Sequence, residues 1–307
     1  MRNLYFILLV IILLFSTTYA QNNQIQSDKE KRSPQFIKPD DTSVPADLIE
    51  LNNIGVQKGL EGKFKEAAVD FRQIIAKAPQ IYQAQYNLGR CLMGLREFDQ
   101  AIEVLTNLVK IKPDYADAQA SIGEAYFQKG MIEESIPYFR RAIDLEPNDV
   151  VSMSNLGNAL FGVKNFSESL KYLNAAIKLQ PDFAAAYNNR GATLYTTGKF
   201  KEAIADFRKA ISLKPDFAES FNNLGVALGK VKKVDEAHQA FLEAVRLRPD
   251  WSNALYNLAV SYIGRGERDL AKTQLETLSN YDSGLAEKGR ELLWQKYVVK
   301  ANSFKEQ

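Results

Sequence analysis

Residues 184–217 read AAAYNNRGATLYTTGKFKEAIADFRKAISLKPDF, and the next 34, residues 218–251, read AESFNNLGVALGKVKKVDEAHQAFLEAVRLRPDW. The two share Asn-Asn, Gly, Ala, Phe and Pro-Asp at the same offsets. The interval persists in both directions: Pro79, Pro113, Pro147, Pro181, Pro215 and Pro249 are 34 residues apart, as are Gly55, Gly89, Gly123, Gly157, Gly191 and Gly225, with Ala259 next in that series. Such a period marks a repeat architecture whose unit is one supersecondary element. With Leu48 as position 1, position 20 is Ala or Ser in every repeat, and position 24 is Phe71, Phe139, Phe207, Phe241 or a Leu. Small residues at positions 8 and 20 let two helices cross closely while position 24 fills the space beside the crossing. Gly62, Gly130, Gly198 and Gly266 at position 15 suit a residue of positive φ between the helices. Proline at position 32 stops the second helix, and the Asp after it in four repeats is expected to accept turn and N-cap hydrogen bonds.

This pattern resembles the tetratricopeptide-repeat family from Leu48 to about Leu285. The resemblance implies an all-α fold, a right-handed superhelix (α-solenoid) of seven helix-turn-helix repeats. Their expected bounds are 48–81, 82–115, 116–149, 150–183, 184–217, 218–251 and 252–283. Position 32 of the last is Ser283, and residues 284–301 read as an amphipathic capping helix with Leu285, Leu292, Leu293 and Val299 inward, before a tail at 302–307. Gly284 and Gly289 weaken that helix and must be held by tertiary contact.

Ahead of the repeats, Leu4 to Phe15 is an unbroken apolar run after Arg2, ending in Thr18 and Ala20. Residues 1–20 read as a secretory signal peptide cleaved between Ala20 and Gln21. An uncleaved anchor is the alternative, and only then is a membrane a partner; either way the repeats lie outside the cytoplasm, periplasmic or extracellular. Residues 21–46 are polar and without apolar periodicity, and are expected to be a disordered, flexible linker. Lysine and arginine total 39 against 37 acidic residues, which leaves no charge excess to attract nucleic acid.

Function is sought on the first helix of each repeat, expected to line a concave groove. Position 6 holds Asn53, Asn87, Asn155, Asn189, Asn223 and Asn257, interrupted by Ser121. Asparagine is a mediocre helix former, whereas its amide offers one acceptor and two donors, a match for the backbone of an extended peptide. The row resembles the repeats of the O-linked N-acetylglucosamine transferases, which implies an asparagine ladder gripping a client polypeptide. The chain ends after its capping helix, so only the binding half of that likeness is expected here.

Phe127, Phe161 and Tyr195 at position 12 are either anchors beside the groove or packing residues, and Arg90, Glu124 and Asn158 at position 9 give it mixed polarity. Arg190 is either a groove contact or a cation whose stem lies in the core. The lysine and arginine of the carboxylate-clamp subtype are missing: position 5 reads Asn52, Tyr86, Ala120, Ser154, Asn188, Asn222 and Tyr256. His238 has no recurring acidic or thiol neighbour, and Cys91 sits where other repeats place Ala, so neither a metal site nor a nucleophile is expected. No cofactor is implied. Two functions follow: a non-enzymatic protein-binding scaffold for extended polypeptide, or an accessory subunit lending substrate recognition to a catalytic partner.

Overall fold

The computed structural model describes residues 34–38, 41 and 43–303, so the expected signal peptide and most of the linker lie outside the described residues, as do residues 304–307. Among the described residues there are fifteen α-helices and no strand. The chain divides into two compact units that meet in sequence at Leu179 and Gln180.

The first unit holds four helical hairpins: α1 (Ala46–Leu60) with α2 (Phe64–Lys77), α3 (Tyr82–Gly94) with α4 (Phe98–Ile111), α5 (Ala116–Gln128) with α6 (Ile132–Leu145), and α7 (Val150–Gly162) with α8 (Phe166–Leu179). The second holds three: α9 (Ala184–Thr196) with α10 (Phe200–Leu213), α11 (Ala218–Lys230) with α12 (Val234–Leu247), and α13 (Ser252–Arg265) with α14 (Arg268–Ser279), followed by α15 (Ser283–Ser303). Within each unit every second helix packs on the first helix of the next repeat, and first helices also touch one another.

The first six hairpins close on a position 8 that has no side chain, and the seventh closes on Ala259. A Cβ on Gly225 would lie 2.5 Å from the Phe241 ring, one on Gly89 2.6 Å from Leu105, and one on Gly191 2.8 Å from Phe207. Position 24 is fully or almost fully buried in each case.

The turn between the two helices is the same in every repeat. The amide of position 16 donates back to the carbonyl five residues earlier, as in Lys63 to Lys58 (2.9 Å), Lys199 to Leu194 (2.8 Å) and Glu267 to Tyr262 (3.0 Å). This closure places position 15 in the left-handed region, with φ of 79° to 83° at Gly62, Gly130, Gly198 and Gly266. It does so even where that residue is Arg96, Lys164 or Lys232, at φ of 61° to 66°.

Between repeats the proline occupies the second place of a four-residue turn. The amide of Tyr115 donates to Lys112 O, and that of Phe217 to Lys214 O. The residue before the proline is extended, as at Lys214 with φ −136° and ψ 91°. The expected capping by the Asp after proline is not what forms. That Asp sits one residue too early, the cap position falls to Tyr115, Phe183, Phe217 or Trp251, and none of these makes a side-chain cap. Among the first helices of the repeats, Asp149, one position later, does cap its helix, accepting from the amides of Val151 and Ser152.

The final helix begins one residue before the expected bound and continues to Ser303. Leu285, Leu292 and Leu293 are buried, as expected, while the Val299 side chain is outside the described ones. Gly289 has a packing reason of its own, since a Cβ there would run into the Leu275 side chain.

A non-glycine residue in the left-handed region costs about 1 kcal/mol. Lys164→Gly and Lys232→Gly, one in each unit, are each expected to stabilise the chain by about 0.5–1 kcal/mol, read as a rise in the urea midpoint without change in slope.

Candidate functional site

Within each unit, positions 5 and 6 of the first helices form two adjoining rows. In the second unit, Asn223 Nδ2 donates to Asn188 Oδ1 at 3.1 Å, and Asn257 Nδ2 donates to Asn222 Oδ1 at 2.8 Å. In the first unit Asn87 Nδ2 donates to Asn52 Oδ1 at 3.1 Å. The rule is that a position-5 asparagine accepts one amide hydrogen from the position-6 asparagine of the next repeat. Position 6 was expected to be an open face, yet Asn87, Asn155, Asn189, Asn223 and Asn257 are buried, and only Asn53 is half-buried. The position-5 row escaped the sequence reading. Its signal was the Asn-Asn doublet at 52–53, 188–189 and 222–223.

The first pair of asparagines holds a length of backbone. Gln35 N donates to Asn87 Oδ1 at 2.7 Å, and Asn87 Nδ2 donates to Gln35 O at 2.9 Å. Ile37 N donates to Asn53 Oδ1 at 3.0 Å, and Asn53 Nδ2 returns to Ile37 O at 2.9 Å. Asn52 Nδ2 adds a further bond to Gln35 O at 3.0 Å. Each position-6 amide therefore trades both of its hydrogen-bonding functions with one residue, as two residues of an antiparallel ladder do. Two residues of strand pass per repeat, running opposite to the order of the repeats. Ile37 is 1% exposed and belongs to the core cluster that includes Leu48, Ile49 and Leu88, whereas Phe36 and Lys38 face outward. These five residues fall inside the stretch expected to be a flexible linker; they bury an isoleucine and share five hydrogen bonds with asparagine side chains, which that expectation did not allow for.

At Ser121 the pattern breaks, and its buried hydroxyl has no partner among the described residues. Beyond the break Asn155 Nδ2 reaches Glu124 Oε1 at 3.4 Å, and Arg90 pairs with Glu124 at 3.2 Å. Arg90 is thus committed to a neighbour. Asn158 is buried with its Oδ1 lacking a partner among the described residues.

The three aromatics weighed as anchors are interior. Phe127, Phe161 and Tyr195 are between 3% and 6% exposed. Phe161 packs on Phe166 and Tyr195 on Phe200, with ring centroids 5.7 and 5.3 Å apart, and burial pushes the Tyr195 hydroxyl up to about 12. Position 12 lies one helical turn beyond the position-8 crossing, so it faces the partner helix rather than a ligand. Arg190 makes a two-pronged pair with Asp206 at 2.7 Å, which raises its pKa, and this pair ties α9 to α10. Burial pushes the Cys91 thiol up to about 12, far from the range of a nucleophile. His238 Nδ1 lies 2.9 Å from the Ser261 hydroxyl, and burial holds its pKa below the ordinary value.

Models of the tetratricopeptide repeat match residues 60–125, 116–149, 151–183, 184–217, 207–239 and 253–283. The chain is a tetratricopeptide-repeat protein. Tetratricopeptide repeats are generally non-catalytic scaffolds, and the fold fits protein–protein interaction. No curated protein sequence matches the chain. Among solved structures it is similar to a chain of the Cut9–Hcn1 hetero-tetramer of the APC/C, with TM-score 0.70 and 17% identity over 84% of this chain and 50% of that one. It is also similar to pilF of Pseudomonas aeruginosa, with TM-score 0.60 and 19% identity over 71% of this chain and 97% of that one. At these identities the likeness shows the fold of the tetratricopeptide array alone, and the chain spans half the length of the Cut9–Hcn1 chain.

Asn188 accepts from both Ser220 Oγ and Asn223 Nδ2, all three being buried. Asn188→Ala is expected to destabilise the chain by about 2 kcal/mol, measured by urea unfolding, because it strands two buried donors.

Proposed function

We propose that this chain is a non-enzymatic scaffold that holds extended polypeptide against its asparagine rows. The observation that carries this reading is the pair of two-bond contacts from Asn87 and Asn53 to the backbone of Gln35 and Ile37. Such contacts read the peptide group and not its side chain, so they accept strands of many sequences. The position-5 asparagines support the reading chemically. By taking one hydrogen of the next position-6 amide, Asn52 fixes how that amide is turned and leaves its oxygen and other hydrogen for a ligand. Asn188 and Asn222 hold Asn223 and Asn257 in the same way.

Magnitudes set the character of binding. A backbone hydrogen bond of this kind contributes about 1 kcal/mol net, so four of them supply about 4 kcal/mol, short of the roughly 8 that micromolar affinity requires. Burial of an aliphatic side chain adds about 2 kcal/mol, and longer strands that engage more asparagines supply the rest. Long, unfolded clients are therefore favoured over short peptides. The proposal keeps the extracytoplasmic address read from residues 1–20, which places the scaffold among secreted or envelope proteins.

The test uses a reduced, alkylated and fluorescently labelled globular protein as an unfolded probe. The chain carrying Asn189→Ala, Asn223→Ala and Asn257→Ala is expected to bind it at least tenfold more weakly than the wild type, with helical circular dichroism retained. Unchanged affinity in a folded variant would exclude the asparagine rows as the binding surface. A partner that instead co-purifies in fixed stoichiometry with the variant would favour the accessory-subunit reading.

A further inference from the structure

We propose that Pro34–Lys38 is a resident ligand of the first two repeats, which an incoming strand must displace, and that its sequence defines what that end of the site accepts: an extended segment with an aliphatic residue in the place of Ile37. The inference rests on the asparagine reading above and adds an occupant and a preference to it.

Three observations support it. The segment contributes backbone groups at alternate residues, with the amide and carbonyl of Gln35 on Asn87 and those of Ile37 on Asn53. A strand held this way is interchangeable with any other strand of the same conformation, which is what a displaceable ligand requires. The buried apolar contact is Ile37, 1% exposed in a cluster with Leu48, Ile49 and Leu88, while Phe36 at 55% exposure and Lys38 face outward. The segment is also attached through few residues: Asp41 N donates to Lys38 O and Val44 N to Asp41 O, and α1 begins at Ala46. Such a short connection keeps the strand at an effective concentration of the order of millimolar, enough to suppress a free strand of about 100 μM affinity roughly tenfold. The device weakens short or poorly matched strands and leaves long clients, which engage further asparagines, able to displace it.

The probe is a fluorescent peptide of the chain's own residues 31–41, KRSPQFIKPDD, titrated into the full chain and followed by anisotropy. Gln35→Pro with Ile37→Pro removes both backbone donors and frees the site, and Gln35→Pro alone serves as a milder release that leaves the isoleucine in place. The released chains are expected to bind the peptide about tenfold more tightly than the wild type. Adding Asn87→Ala should cancel the gain, and replacing the isoleucine of the peptide with Asp should abolish it. Equal affinity of wild-type and released chains, with Asn87→Ala weakening both, overturns the resident strand and leaves the asparagine reading standing. Peptide binding that ignores Asn87→Ala in the released chain overturns both.

Discussion

Each of the first six hairpins depends on an approach between helices that a methyl group would crowd, and the seventh makes its crossing with alanine, the smallest side chain. At Gly225 and Phe241, or Gly89 and Leu105, the backbone of the first helix rests directly against the large side chain of the second. That approach fixes the rotation of the first helix about its own axis. Once position 8 faces its partner helix, position 12 follows it inward, and positions 5 and 6 are left to face the neighbouring repeat. The uniform turn at position 15 has the same effect along the axis, and it is strong enough to impose a left-handed conformation on a lysine. Repetition of these two constraints brings the asparagines into register.

The functional argument follows from the likeness between a side-chain amide and a peptide group. Each carries a carbonyl beside an N–H, so an asparagine in fixed orientation can stand opposite a residue of extended chain as another strand would. Fixing the orientation is the difficult part, because a free amide rotates and its ordering costs entropy. The position-5 asparagines remove that cost by holding one hydrogen of the next amide in a buried bond. This also means that the rows are part of the packing between repeats, and that the proposed binding would draw on the residues that stability uses.

Much of this was legible in the sequence. The 34-residue interval, the close crossing at position 8 and the glycines at position 15 each have a mechanical cause that a single chain displays by repetition. The recurrence of an amide at position 6 was legible for the same reason. Its burial was not, because a periodic polar residue reads as exposed until its partner row is recognised, and position 5 alternates between Asn, Tyr, Ala and Ser. The aromatics at position 12 were ambiguous because a ring suits a groove and a core equally, and only the position-8 crossing decides between them. The Asp after proline was misassigned by one residue, since the turn needs one more residue before its helix starts. Residues 34–38 were illegible in principle: five residues without periodicity give no sign that their backbone will be used in place of their side chains.

The most direct measurement is hydrogen exchange at the amides of residues 35–38 in the folded, full-length chain, resolved residue by residue. The account predicts an alternation in which Gln35 and Ile37, whose amides are bonded to Asn87 and Asn53, exchange at least tenfold more slowly than Phe36 and Lys38. It further predicts that the alternation vanishes in the Asn53→Ala, Asn87→Ala chain. Uniformly fast exchange across the four residues in the wild type would contradict the claim that asparagine side chains hold extended backbone.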